Sequence, residues 1–122
     1  MRTLKLYGTG TATANAVASV VIPSASTIRA IQWSVILDSI TDGVLVQLEL
    51  SRSSSREINV NGAQQCCAEI ALASNFVTSG LSQPSPNGIF HVSLPFAQGQ
   101  ILYTHALITG TVTYHVTWLL HY

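Results

Sequence analysis

Apolar and polar residues alternate along most of the chain with a period of two, the signature of strands that bury one face. The pattern is cleanest at the C-terminal end. From Thr111 to Tyr122 one face carries Val112, Tyr114, Val116, Trp118, Leu120 and Tyr122, and the other Thr111, Thr113, His115, Thr117, Leu119 and His121. Gln100 to Ile108 sorts into Ile101, Tyr103, His105 and Leu107 against Leu102, Thr104, Ala106 and Ile108. Thr109-Gly110 lies between the two segments, and glycine tolerates the positive φ of a tight hairpin. A two-residue loop sets Tyr103 opposite Val116 and Ile101 opposite Trp118, so a C-terminal hairpin is predicted. A second hairpin is predicted in the first half. Thr27 to Leu37 places Ile31, Trp33, Val35 and Leu37 on one face, and alternation resumes with Val44, Val46, Leu48 and Leu50 after the turn signal Asp42-Gly43.

The remaining segments complete the pattern. Leu4 and Leu6 suggest a short first strand, and Thr11 to Ile22 a longer one that ends at Pro23. Small residues throughout Thr11 to Val20 suit close packing against another sheet or another subunit. Ser51-Arg52-Ser53-Ser54-Ser55-Arg56 is polar and reads as a loop. Ala63 to Phe76 is compatible with a helix by composition, but it alternates, with Cys66, Ala68, Ile70 and Leu72 on one side; strand is the preferred reading. Ser79 to Gly88, with Pro84, Pro86 and Asn87, reads as a long loop, and Ile89 to Leu94 as a strand closed by Pro95. About eight short strands at this spacing predict an all-β antiparallel sandwich or barrel, formed by residues 1–122 as a single domain.

Composition adds an anomaly. Hydrophobic residues make up 48% of the chain and charged residues only 8%, with five Lys+Arg balancing five Asp+Glu. Soluble domains carry about 25% charged residues. With so few basic groups, no patch can neutralise a run of phosphates, so nucleic acid is not an expected partner. The single lysine, Lys5, leaves no polybasic membrane signal. Leu6 to Ile28 is uncharged but too rich in Ser, Thr, Gly and Asn for a bilayer span. No compact apolar run follows the basic residues near Met1, so the N-terminus reads as part of the fold.

Candidate chemistry is sparse. Cys66 and Cys67 are adjacent, which disfavours a mutual disulfide, and at least one is expected in the core. There is no CxxC or comparable metal-ligand spacing. His115 and His121 share a strand face but lie about 20 Å apart at a strand's rise per residue, and His105 is expected on the opposite face. The four histidines His91, His105, His115 and His121 therefore read as half-exposed strand residues. A metal shared across a symmetry axis stays open. The carboxylates Asp38, Asp42, Glu49, Glu57 and Glu69 form no recognisable catalytic set, with Glu49 expected to point outward, and there is no G-x-S-x-G elbow or phosphate loop. Neither enzymatic activity nor a cofactor or metal is expected. Trp33, Trp118, Tyr7, Tyr103, Tyr114 and Tyr122 could stack on sugars, but both tryptophans sit on aliphatic faces that favour the core.

The missing charge has a consequence for association. Gln100 to Tyr122 contains no Lys, Arg, Asp or Glu, although exposed edge strands are usually protected by charge or proline. Interface cores are depleted in charge and enriched in aromatics. A surface covered by other copies or by another protein is the expectation, with Val17, Val20, Leu102, Ile108, Leu119 and Tyr122 as candidate contacts.

One family pattern fits the residue order. It runs through the N-terminal Gly8-Thr9-Gly10-Thr11, Val20-Val21-Ile22-Pro23, Ile28-Arg29-Ala30-Ile31-Gln32-Trp33-Ser34 and the turn Thr41-Asp42-Gly43. It ends with Leu94-Pro95, Gly99-Gln100-Ile101-Leu102-Tyr103 and Ile108-Thr109-Gly110-Thr111-Val112-Thr113. Over most of its length the chain resembles small jelly-roll-type virion proteins of tailed bacteriophages, such as capsid decoration (cement) proteins and head or tail fibre modules. The resemblance implies a jelly-roll-like β-sandwich and a non-enzymatic structural role. It implies a symmetric homo-oligomer, a trimer by preference, bound to the major capsid protein or another virion protein. The location would be the virion, assembled in the host cytoplasm. A carbohydrate- or receptor-binding module of a fibre or tail is the alternative. The shared pattern covers scaffold positions only and assigns no functional residue.

Overall fold

The fold is seen in a computed structural model that describes residues 2–38, 44–58, 65–73 and 86–122. Their regular structure is entirely strand: β1 (Thr3–Gly10), β2 (Ala14–Val21), β3 (Ser26–Asp38), β4 (Leu45–Ser51), β5 (Cys66–Ala73), β6 (Asn87–Phe96), β7 (Ile101–Thr109) and β8 (Thr113–His121). Two four-stranded antiparallel sheets form, ordered β1-β8-β3-β6 and β2-β7-β4-β5. This is an all-β sandwich with jelly-roll connectivity. Among the described residues no helix is long and apolar enough to cross a membrane.

The connectivity overturns both predicted hairpins. Strands β7 and β8 lie in opposite sheets, and so do β3 and β4; among strands consecutive in sequence, only β4 and β5 are hydrogen-bonded neighbours. Alternation reports which residues face inward but not which strand lies alongside. At the β7–β8 link, Gly110 sits at φ +103, and a side chain there would stand 2.7 Å from Val44 Cγ2. The chain turns there and crosses to the other sheet. The inward face of β7 is consequently the reverse of the expected one. Leu102, Thr104 and Ala106 enter the core, whereas Ile101 is exposed. The Asp42-Gly43 turn and most of the predicted Ser79–Gly88 loop lie outside the described residues; β6 begins at Asn87.

Other expectations hold. Residues 66–73 are strand, and β8 buries Tyr114, Val116, Trp118 and Leu120 on one face as its alternation predicts. The two sheets share one core, into which Ile31, Val35, Leu48, Leu50, Leu102 and Trp118 are sealed. Trp118 of the first sheet donates its Nε1–H to Thr104 Oγ1 of the second at 2.9 Å, and Thr104 donates in turn to the Glu49 carbonyl at 3.0 Å. Two irregularities interrupt the ladders. Strand β3 carries a bulge between Ile28 and Ala30 against β6. The β4–β5 ladder shifts between Leu50 and Ser51, which pair with Ala68 and Cys66, so Cys67 is left over. Strand β6 also runs through Pro95, which its edge position permits.

Candidate functional site

The first sheet turns outward a face of mostly neutral side chains, several of them ordered by hydrogen bonds. On β8, His115 Nδ1 accepts from the Tyr7 hydroxyl at 2.8 Å and lies 3.2 Å from the Thr9 hydroxyl, which donates to the Tyr114 carbonyl, while its Nε2 lies 2.9 Å from Asp38 Oδ2. The Tyr7 and His115 rings lie nearly parallel. Further along the same face, His121 contacts Thr3 through Nδ1 and Gln32 through Nε2, both at 3.1 Å. Register sets Lys5, Leu119, Gln32 and Ile89 in one row across the four strands. Tyr7, Ile36 and Ile89 are about half exposed, at 47%, 51% and 49%. Lys5, Asp38 and, at the bulge, Arg29 are the charged residues of these strands. His91, His115 and His121 occupy this face, as the half-exposed reading expected.

His105 does not. It lies on the outer face of the second sheet yet is fully buried, because residues 51–58 fold over that face. A backbone N–H can only donate, so the 2.7 Å contact from Ala16 N makes His105 Nδ1 an acceptor. The proton therefore sits on Nε2, which donates to the Ser53 carbonyl at 2.7 Å. Burial holds the imidazole below the usual histidine range, only partly opposed by the Ser53 carbonyl. The same contact fixes Ala16 at φ +49, an uncommon left-handed conformation for a residue with a Cβ, within the register break of β2. Asn15 Oδ1 accepts the Arg56 N–H at 3.1 Å, so the residue beside this kink holds the covering segment.

Beside His105 lies a cluster of acidic and thiol groups. Glu49 is fully buried, which pushes its carboxyl above the usual range; its two oxygens share the Glu57 N–H at 3.2 Å each, and Oε1 is 3.9 Å from His105 Nε2. Glu69 is its direct register partner on β5. The irregularity at Cys66–Cys67 aims Cys66 toward these carboxylates and leaves Cys67 packed on the core. One ligand atom each of Glu49, Cys66 and Glu69 lie within 4.8 Å of one another. Burial, together with the charges of Glu49 and Glu69, pushes the Cys66 thiol up to about 12. Burial raises the Cys67 thiol as well. Arg52, above Cys67, donates from Nη2 to the Pro95 carbonyl at 3.0 Å and stacks 4.3 Å above the Phe96 ring.

The predicted contact residues fall in three places. Leu102 is completely buried in the core, so it cannot meet another chain, a correction that follows from the reversed face of β7. Val17, Val20, Ile108 and Tyr122 are partly buried and pack against that core. Leu119 alone of the six points out from the first sheet, between Lys5 and Gln32. Of the aromatics considered for sugar stacking, Trp118 and Tyr114 are buried, Trp33 is partly buried against the core, and Tyr7 is exposed but tied to His115. Sequence reasoning missed the Glu49–Cys66–Glu69 cluster because its members come from two strands at no fixed spacing. The visible hint was a lone glutamate within an apolar strand. A comparison with models of known protein families and with curated proteins finds no match.

Proposed function

We propose that the protein is a non-enzymatic structural module that docks through the outer face of the β1-β8-β3-β6 sheet onto a larger protein shell, as capsid decoration proteins do. One observation carries this reading. The face is nearly uncharged and partly apolar, and its His115, His121 and Tyr7 are already held in place. Charge depletion is what interface cores share, and pre-ordered side chains lose little entropy on binding. The sequence resemblance to phage decoration proteins supports the choice of a virion shell as partner. Jelly rolls also serve lectins and cupins, so the fold does not choose between these roles. In this reading several copies act as a symmetric oligomer, a trimer by preference.

The test mixes the purified protein with capsids that lack it and measures co-sedimentation. Binding that is lost in Ile36→Glu and Ile89→Glu supports the proposal, because both residues are half exposed and neither supports the core. Each change is expected to weaken binding by about tenfold or more. Glycan binding without shell association would move the assignment to a receptor-binding module. A monodisperse monomer at micromolar concentration in light scattering would remove the oligomer.

A further inference from the structure

We propose that Glu49, Cys66 and Glu69 form a binding site for a divalent cation of borderline softness, with Zn²⁺ the best match. The proposal is independent of the docking face, which lies on the other sheet. Three observations lead to it. Glu49 and Glu69 are direct register partners across β4 and β5, and like charges so placed destabilise a sheet. The register break at Cys66–Cys67 adds a thiol to that pair, and the three ligand atoms lie within 4.8 Å of one another.

The third observation is independent of this clustering. Glu49 is wholly buried and no lysine or arginine lies within ion-pair distance of it; Arg56 acts on it only at longer range. All five basic residues of the chain, Arg2, Lys5, Arg29, Arg52 and Arg56, are among the described residues, and none forms an ion pair with it. The one imidazole within reach, His105 at 3.9 Å, is held neutral by its burial and by the Ala16 N–H, which takes Nδ1 as acceptor. Among the described residues a single backbone N–H, from Glu57, serves both carboxylate oxygens. Buried carboxylates are otherwise paired or bound to metal.

The donor set selects the metal. Sulfur disfavours Mg²⁺ and Ca²⁺, and two carboxylates disfavour Cu⁺. Zn²⁺ accepts both donor types, at about 2.3 Å for sulfur and about 2.0–2.2 Å for oxygen, so the three side chains need only close inward. Three protein ligands leave a fourth position for water. On binding, the Cys66 S–H bond breaks, its proton goes to solvent, and the sulfur lone pair forms the metal–sulfur bond. Affinity therefore tightens as pH rises. The cation would fasten the edge strand β5 to β4 beneath the 51–58 cover.

The full chain, stripped with EDTA, is titrated with Co²⁺ and then Zn²⁺. A thiolate-to-cobalt charge-transfer band saturating at one Co²⁺ per chain is expected, displaced by Zn²⁺ with a rise in Tm. Cys66→Ser should abolish the band, whereas Cys67→Ser, altering the thiol that packs on the core, should keep it. Glu69→Gln changes an exposed residue, so folding is preserved; it should weaken binding by roughly tenfold or more, the loss typical of even an outer-shell partner. The proposal is overturned if no band forms and Tm is unmoved by Zn²⁺, or if the band survives Cys66→Ser.

Discussion

His105 is the residue whose surroundings differ most from its sequence context. Flanked by Thr104 and Ala106 in an alternating strand, it reads as a half-exposed histidine, yet it joins three separate segments: the kink of β2 at Ala16, its own strand, and the cover at Ser53. Protonation would place a hydrogen on Nδ1 against the Ala16 N–H. Glu49 of β4, Arg56 and Glu57 of the cover and the Tyr103 ring surround the imidazole. Burial lowers its folded pKa below the unfolded value of about 6.5, so its contribution to stability is complete above that value. That contribution is lost as pH falls through the folded pKa. Glu49, raised by burial, acts in the opposite sense, so a variant is needed to isolate the histidine. In EDTA-treated protein, urea unfolding should show stability falling from pH 7 toward pH 5. His105→Gln, which can still accept from Ala16 and donate to Ser53, should fall less steeply. Equal slopes would mean that the imidazole charge does not matter.

At the scale of elements, the strands themselves were legible in the sequence. The inward residues of β8 and the strand character of 66–73 follow from alternation, because each strand meets one core face. Alternation failed where a bulge inserts a residue, at Ile28–Ala30 and at Cys66–Cys67. It also failed on β4, where both faces are covered and Gln47, Glu49 and Ser51 are buried like their aliphatic neighbours. The pairing of Trp33 with Gly88 shows how tightly one register is set. A Cβ at Gly88 would stand 2.8 Å from the indole Nε1 and 2.9 Å from two ring carbons, and that rigid ring has β8 on its other side. Gly88→Ala should therefore destabilise the protein by about 1–3 kcal/mol, the usual cost of overpacking, read as a shift in denaturation midpoint. An unchanged midpoint would show that the β3–β6 pair can spread.

The whole molecule combines a conventional core with two unequal outer faces. One sheet is open and nearly neutral; the other is covered in part by its own chain, which seals in a glutamate and a histidine. If docking uses the neutral face, its strength should depend little on ionic strength. Between about 0.05 and about 0.5 M NaCl, where Debye screening tightens severalfold, shell binding should change by less than about threefold. A steep fall with salt would mean that Lys5, Asp38 or the covered face dominates the contact.

The sequence by itself determined the class of structure and the electrical character of the surface. Side-chain alternation is a local property, and a count of ten charged residues is a property of composition. The tertiary structure alone decided which strands are neighbours, because alternation is the same whichever sheet a strand joins. It turned Leu102 from a candidate contact into core. It also brought Glu49, Cys66 and Glu69 together, since proximity across a ladder is set by register and by a one-residue bulge that no spacing along the chain records.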